Sequence, residues 1–269
     1  MSISERREAV RFLVTRRISV HRACVLLQIQ RATFRYQARP VTDDGVDEEL
    51  RALAQAHPRY GYRRMGALLR RKRTINRKCV HRLWKQAGLQ VKRPKTRRQR
   101  RERPAPLAAA YPNHVWAYDF VEDQDVHGQI LRILTVMDEF TREGLAIDVD
   151  LITSAERVIG VLAQLVAKHG APDYLRSDNG SEFVALALQA WLGHHQITAL
   201  YIDPGCPWQN GKDERYNGTV RDERLNMQLF ASVREAQVQL DAFRRHYNEQ
   251  RPHSRLGYQT PSEFKQVWY

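Results

Sequence analysis

A short alternating stretch, VWAYDFV at residues 115–121, determines how we interpret the second half of this chain. Successive side chains of a β-strand point to opposite faces, so Ala117, Asp119 and Val121 share one face. Trp116 and Tyr118 share the other face. The stretch therefore predicts a strand that carries the carboxylate of Asp119 beside apolar neighbours.

Further elements follow this strand in an order that defines the fold class. Residues 129–137 and 144–149 predict two more strands, and short turns between them favour an antiparallel meander. The remaining pattern predicts a helix at 154–169, a strand at 173–177, a helix at 181–194, a strand at 197–202 and long helices at 211–229 and 232–248. This order predicts an α/β fold, a mixed sheet with helices on both faces, preceded by small all-α units.

Charge is distributed very unevenly along the chain. Residues 1–103 contain 29 Lys and Arg against 8 Asp and Glu, a net charge of +21. Residues 104–269 contain 15 against 22, a net charge of −7, which together give the overall +14. A basic arm joined to an acidic domain is typical of a nucleic-acid binder attached to a second functional unit.

The basic arm has the pattern of short helices. We predict four segments: a helix-turn-helix-like unit at 1–40, a second one at 45–91, a basic linker at 92–111 and a catalytic domain at 112–269. An ordinary three-helix packing unit explains the first segment equally well. The basic side chains expected on the outside, and hence near DNA phosphates, are Arg63, Arg64, Arg70, Arg71, Arg77, Lys78, Lys92, Arg93, Lys95, Arg97 and Arg98.

Composition also limits where the protein acts. No apolar stretch approaches membrane-spanning length, and residues 1–22 lack the apolar core of a signal peptide. Cys24, Cys79 and Cys206 are few and far apart, which argues against a disulfide framework or a structural zinc site. We therefore expect a cytoplasmic protein without a membrane partner.

Three carboxylates are candidates for a shared site. Asp119 lies on the first strand, Asp178 follows the fourth, and Glu214 lies near the start of a helix. Carboxylates that converge at one place ionise together only when cations neutralise them, and Mg²⁺ prefers such oxygen ligands. Two such ions would bind the attacking and leaving oxygens of a phosphoryl displacement.

Four ordered motifs carry a resemblance to a known family. Asp178 and Glu214 are separated by 35 residues, and with Asp119 they resemble the Asp-Asp-Glu triad of the retroviral-integrase-like superfamily. The motifs are SDNGSEF at 177–183, PGCPWQNG at 204–211, ERYNG at 214–218 and YNEQRPHSRLGY at 247–258. Together they resemble OrfB transposases of the insertion-sequence-three family, and residues 57–89 are similar to that family's second helix-turn-helix.

The resemblance implies a fold, a reaction and partners. The fold would be a ribonuclease-H-like domain in which Asp119, Asp178 and Glu214 hold two Mg²⁺ ions, with Mn²⁺ as a substitute. The reaction would be nicking of transposon 3′ ends followed by strand transfer into target DNA. The partners would be transposon-end and target DNA, an OrfA protein or an OrfA–OrfB fusion, and further copies of the chain in the DNA complex. The location would be the bacterial cytoplasm, at the nucleoid when the protein is bound to DNA.

The chain departs from the family pattern beside the glutamate. Lys212 and Asp213 stand where apolar or aromatic residues are usual, and Arg215 replaces the usual serine. Asp213 adds a fourth negative charge near the site. Two alternative functions stay open: a non-catalytic DNA-binding regulator derived from a decayed transposase, and a ribonuclease-H-like nuclease.

Helical spacing adds two candidate DNA contacts. Glu214, Asn217 and Arg221 are spaced i, i+3 and i+7 and share one face of a helix. This predicts that Asn217 and Arg221 lie beside the DNA. The alternative for Arg221 is an ion pair with Asp222 or Glu223.

Other polar residues near the motifs have simpler explanations. We expect Asp138 to pair with Arg142 or cap a turn, and Glu182 to begin a helix. Asn179 would orient Asp178 or cap that helix, and we interpret His253 as a buried structural residue.

Overall fold

The computed structural model describes residues 1–36, 45–91, 107–152, 154–178, 186–202 and 210–268. By internal contacts the chain divides into two units, Met1–Val46 and Asp47–Tyr269. The predicted linker and the predicted boundary between the two helical segments fall largely outside the described residues. Within those residues, no helix combines the length and apolar character that a membrane span needs.

The first unit consists of three short helices, as the sequence predicts. Helix α1 spans Ile3–Thr15, α2 spans Val20–Leu26 and α3 spans Arg31–Arg35. The side chain of Ser19 accepts a hydrogen bond from the backbone of Arg22 and caps α2. Apolar side chains from all three helices form a small core around Val10, Ala23, Cys24 and Ile29.

Three more helices precede the sheet. Helix α4 spans Val46–Ala56, α5 spans Tyr62–Arg70 and α6 spans Arg77–Gln86, all within the second predicted helical segment. Asn76 caps α6 through its side chain. Their apolar faces bury Leu50, Met65, Leu69, Val80, Leu83 and Trp84.

Five strands form one mixed sheet in the order β3-β2-β1-β4-β5. The strands are β1 Val115–Gln124, β2 Ile130–Asp138, β3 Gly144–Asp150, β4 Tyr174–Ser177 and β5 Thr198–Tyr201. Strands β1 to β3 form the predicted antiparallel meander, whereas β4 pairs with β1 in parallel and β5 pairs with β4 in parallel. The predicted mixed sheet is confirmed.

Helices cover both faces of the sheet. They are α7 Ala155–His169, α8 Leu186–His194, α9 Asp213–Glu223, α10 Val233–Glu249 and α11 Pro261–Gln266. Ala117 and Val121 pack on α9 and α10, and Trp116 and Tyr118 pack on α7 and α8. The alternation in residues 115–121 thus separates the two cores as predicted.

One predicted helix is too long. The sequence pattern extends it over residues 211–229, but α9 ends at Glu223. Arg224 has non-helical backbone angles, and a short 3-10 turn at Leu225–Met227 follows. The chain turns because Leu225 and Phe230 are buried in the core beside α10, and the carbonyl of Phe230 accepts a hydrogen bond from the end of the sheet. Tertiary burial thus overrides helical periodicity.

Gly144 of β3 lies very close to Tyr216 of α9. A Cβ atom on Gly144 would lie 2.9 Å from Cζ of the buried Tyr216 and closer still to its hydroxyl oxygen. Among the described residues, that hydroxyl has no hydrogen-bond partner. Only glycine therefore lets the ring of Tyr216 fit beside the edge of the sheet.

We predict that Gly144→Ala lowers the free energy of unfolding by about 1–3 kcal/mol, because overpacking shifts the ring of Tyr216. Urea unfolding measures the change. Adding Tyr216→Phe removes the nearest atom, and should restore part of the loss. Gly160 is the control, because it is exposed on α7 and its Cβ would meet nothing within 4 Å. Gly160→Ala should stabilise by roughly 0.5–1 kcal/mol. An equal effect of both alanines would contradict the prediction.

Candidate active site

Asp119 lies in the middle of β1, on the face covered by α9. One carboxylate oxygen accepts a hydrogen bond from the backbone of Phe120 at 2.8 Å, and the other accepts one from Asn217 Nδ2 at 3.0 Å. Burial raises the pKa of Asp119, and the charge of Asp178 acts in the same direction. The carboxylate is therefore held in a fixed orientation, next to a second negative charge.

Asp178 follows β4 directly, on the strand beside Asp119. The parallel register ends with Ala117 paired to Arg176, and Asp119 and Asp178 each lie two residues beyond this pair, close enough for the charge of Asp178 to act on Asp119. Asp178 is exposed, whereas Asp119 is partly buried. The sheet thus brings together two of the three predicted site carboxylates.

Glu214 lies in the first turn of α9 and is exposed. It precedes Asn217 by one turn of the helix, and Asn217 contacts Asp119 directly. Within the described ranges, no three His, Cys, Asp or Glu side chains are already close enough to hold one metal ion. Glu214 is therefore one helical turn from a residue that binds Asp119, but the three carboxylates do not already form a metal-binding cluster in the described residues.

Asp213 is the carboxylate that α9 turns inward. Its side chain is fully buried, and Asn217 Nδ2 lies 3.2 Å from one of its oxygens. Burial raises its pKa well above the ordinary value, and the charge of Asp119 adds to this effect. The sequence marked Asp213 only as a departure from the family pattern. Helical spacing could have placed it, because Asp213, Tyr216, Asn217 and Val220 all lie on the buried face.

Asn217 connects these carboxylates to the sheet. Thr135 on β2 donates to Asn217 Oδ1 at 2.8 Å. This bond directs the amide nitrogen of Asn217 towards Asp119 and Asp213. Both Thr135 and Asn217 are buried. The side chain that the sequence predicted beside DNA is therefore engaged inside the protein, beneath the site.

A buried ion cluster explains Lys212, which also departs from the family pattern. Glu139 follows β2 with 1% of its side chain exposed, and Arg176 Nη1 lies 2.7 Å from its Oε1. Lys212 forms an ion pair with the other oxygen of Glu139. Buried charges are tolerated when they are paired, and Lys212 supplies the second partner of Glu139.

Arg221 extends along the exposed side of α9. Its guanidinium donates to the backbone carbonyl of Glu122 on β1 at 2.8 Å. The alternative pairing is not seen, because Asp222 pairs with Arg59 and Glu223 pairs with Arg64. Arg221 is thus placed beside the same strand as Asp119.

Two of the predicted DNA-contacting arginines form ion pairs within the protein. Arg64 lies 2.9 Å from Glu223, and Arg71 lies 2.7 Å from Glu263. Four others are exposed on the helical unit: Arg63, Arg70, Arg77 and Lys78. The linker candidates lie outside the described residues: Lys92, Arg93, Lys95, Arg97 and Arg98.

The motif at 247–258 forms the packing centre between α9 and α10. The buried guanidinium of Arg251 binds Glu223 through two hydrogen bonds of 2.8 and 2.7 Å and lies over the ring of Tyr247. His253 packs edge-on against the same ring and is buried, as predicted. The motif therefore holds the end of the helix that carries Glu214.

Asp138 caps a turn, which is one of the two roles that the sequence predicted for it. Its carboxylate accepts hydrogen bonds from the backbones of Asn113, Phe140 and Thr141 at 2.7–2.9 Å. It therefore fixes the connection between β2 and β3. The predictions for Asn179 and Glu182 lie outside the described residues.

Family models match most of the chain. An integrase core domain matches residues 109–207, a second integrase core model matches residues 195–261, and an HTH-like domain matches residues 42–97. An uncharacterized 39.2 kDa protein of insertion element IS476 from Xanthomonas euvesicatoria is 40% identical over 263 residues, covering 96% of this chain and 76% of the relative. The chain belongs to the insertion-element transposase family with an integrase core.

Two further similarities agree with this assignment. Transposase InsD of insertion element IS2A/D/F/H/I/K from Escherichia coli is 28% identical, over 96% of this chain and 94% of that protein. The simian T-cell lymphotropic virus intasome, solved in complex with PP2A regulatory subunit B56 gamma, gives a TM-score of 0.51 at 16% identity. That match covers 80% of this chain and 74% of that one. This second similarity supports the ribonuclease-H-like fold predicted from the sequence.

We predict a pH effect on stability from His253. Burial lowers its pKa from 6.5 to about 3, and Arg251 acts in the same direction. Between these values the unfolded chain binds a proton that the folded chain does not. Stability is therefore lost as pH falls from 6.5 towards about 3, by at most about 1.4 kcal/mol per pH unit.

His253→Asn should make the free energy of unfolding fall less steeply across this window. Urea unfolding at several pH values between about 7 and about 4 measures the slopes. His127→Asn is the control, because His127 is exposed in the turn between β1 and β2. Parallel curves for the wild type and His253→Asn would contradict the predicted shift.

Proposed function

We propose that this protein nicks the 3′ ends of transposon DNA and transfers the freed strand to target DNA, using divalent metal ions. The observation that supports the proposal best is the proximity of Asp119 and Asp178 just beyond the last pair of β1 and β4, with α9 bound to Asp119 through Asn217. Membership of the insertion-element transposase family agrees with this reaction class.

The donor set fits a hard cation such as Mg²⁺. Asp119 and Asp178 supply carboxylate oxygens on neighbouring strands, and burial together with their mutual repulsion raises the pKa of Asp119. A cation relieves that repulsion. We propose that Asp119, Asp178 and Glu214 hold two Mg²⁺ ions, for which Mn²⁺ can substitute. When bound, such ions activate the attacking oxygen and stabilise the leaving oxygen of a phosphodiester.

The chain's own residues would prepare this site in three ways. The backbone of Phe120 and the amide of Asn217 orient the carboxylate of Asp119. Thr135 holds that amide in place. The exposed position of Glu214 lets its side chain approach the strand edge from α9 without disturbing the buried face of the helix.

DNA binding would involve both parts of the protein. The exposed Arg63, Arg70, Arg77 and Lys78 of the helical unit would contact phosphates of transposon-end DNA, and Arg221 would lie near the phosphate being cut. We propose that an OrfA protein, alone or as an OrfA–OrfB fusion, supplies multimerisation, and that several copies assemble on DNA. The expected location is the bacterial cytoplasm, at the nucleoid.

A second candidate function is a DNA-binding regulator without catalysis. Asp213 favours it, because its buried carboxyl contacts Asp119 where the family usually has an apolar residue. The proximity of Asp119 and Asp178 favours catalysis. Cleavage assays separate the two functions.

We predict that Asp119→Asn, Asp178→Asn and Glu214→Gln each reduce Mn²⁺-dependent nicking of a transposon-end duplex by about 1000-fold. Each substitution removes several kcal/mol of the stabilisation that the ions give the transition state, and each loss of about 1.4 kcal/mol slows the reaction tenfold. Glu249→Gln is the control, an exposed glutamate on α10. Gel assays measure nicking, and calorimetric titration with Mn²⁺ measures ion binding. A wild type that does not nick above the protein-free background would support the regulator instead, and equal nicking by the wild type and the triad variants would contradict the role of the triad.

We predict that Arg221→Ala reduces nicking by about tenfold or more and leaves the melting temperature within about 2 °C. Seven residues of helix place Arg221 roughly 10 Å along the axis from Glu214 on the same face, a separation that suits DNA crossing the site. The control is Arg234→Ala, an exposed arginine on α10. Unchanged nicking with a lowered melting temperature would assign Arg221 a purely structural role, through its bond to Glu122.

A further inference from the structure

A cavity of about 780 Å³ lies beside α9, on a different face of the helix from Glu214. The start of α5, the β2–β3 turn and the segment after α10 form its other walls. Seven cationic side chains line it, against the two acids Asp222 and Glu223: Arg59, Arg64, Arg142, Lys212, Arg215, Arg251 and Arg255. Its charge is therefore strongly positive, although the half of the chain that forms most of it is acidic.

Four of these cations already have carboxylate partners. Arg59 pairs with Asp222, Arg64 and Arg251 pair with Glu223, and Lys212 pairs with Glu139. The remaining three differ. In the described part of the chain, Arg142, Arg215 and Arg255 have no carboxylate within salt-bridge distance. The cavity thus has three guanidinium groups that form no direct ion pair with a carboxylate of the described residues.

Arg142 has two unusual features. Its backbone is in the left-handed region with φ at 63°, a conformation that disfavours residues with a Cβ and persists where the surrounding fold imposes it. Its side chain is also partly buried, and this burial lowers its pKa; the charge of Glu139 opposes the shift, whereas Arg255 adds to it. The fold therefore holds a partly desolvated guanidinium near a second cation. Such an arrangement is stabilised by an anion between them.

We propose that this cavity binds phosphodiester groups of a DNA strand through Arg142, Arg215 and Arg255. Guanidinium groups match phosphate geometry with two parallel hydrogen bonds, which a lysine ammonium does not. The cavity is also much larger than a single phosphate requires, which favours a strand over a free ion. The choice of DNA as the ligand rests on the proposed function, because a strand bound in this cavity would continue around α9 towards Glu214.

The test compares two sets of three charge-removing substitutions in the full chain. The cavity set is Arg142→Gln, Arg215→Gln and Arg255→Gln. The matched control set removes three exposed cations elsewhere: Lys168→Gln, Arg234→Gln and Arg245→Gln. Fluorescence anisotropy measures binding of a labelled 30-base-pair duplex over a range of NaCl concentrations. Without divalent metal, cleavage does not contribute, so a negative result leaves the proposed nicking reaction untouched.

The cavity set should weaken DNA binding by about tenfold or more at about 0.1 M NaCl. It should also reduce the slope of log K against log salt by about 2–3, since each lost phosphate contact removes about 0.9. The control set should change the affinity less than about twofold. Arg255→Gln alone should reduce the slope by about 0.9. Because Arg255 is exposed, this single variant should fold normally, and it tests the proposal even if the triple variant misfolds.

Three results would overturn the proposal. One is an unchanged slope for the cavity set, and another is an equal loss for both sets, which would reflect overall charge alone. The third concerns free anions, tested by calorimetric titration with inorganic pyrophosphate. If the cavity set abolishes pyrophosphate binding and leaves DNA binding unchanged, the cavity is a site for free anions.

Discussion

The buried amide of Asn217 is the contact on which the site depends. It joins α9 to the sheet by donating to Asp119 while accepting from Thr135. A buried amide satisfied at both ends stays in one orientation, because releasing either partner leaves a polar group without water. The position of Glu214 relative to the strand carboxylates therefore follows from a hydrogen bond one helical turn away.

The far end of α9 is held by charge rather than by an amide. Glu223 receives Arg251 from the segment after α10 and Arg64 from α5. One carboxylate thus connects the helical unit, the C-terminal motif and the helix that carries Glu214. This explains why the motif at 247–258 occurs with the triad although it supplies no carboxylate to it. It also explains why Arg64, which the sequence predicted to contact DNA, forms an ion pair inside the protein.

Local patterns predicted the elements, and long-range packing decided the details. Alternation in residues 115–121 correctly separated the two cores, and motif spacing correctly indicated the family. Helical periodicity failed after Glu223, because the burial of Leu225 and Phe230 beside α10 is not visible in a local pattern. The buried position of Asp213 was also missed, because a charged residue is expected on the surface unless a partner is known. Asn217 was predicted to contact DNA because helical spacing shows which face of the helix it shares with Glu214. The spacing does not show that Thr135 and Asp119 bind its side chain inside the protein.

The strand pairing also implies an order of assembly. Strands β1 to β3 pair through short turns, whereas Ala117 pairs with Arg176, 59 residues further along the chain. Closing a longer loop costs more chain entropy, so the meander can form before β4 docks against it. Asp119 belongs to the early part of the sheet and Asp178 to the late part. The two acids therefore meet only once most of the hydrophobic burial that can offset their repulsion is complete.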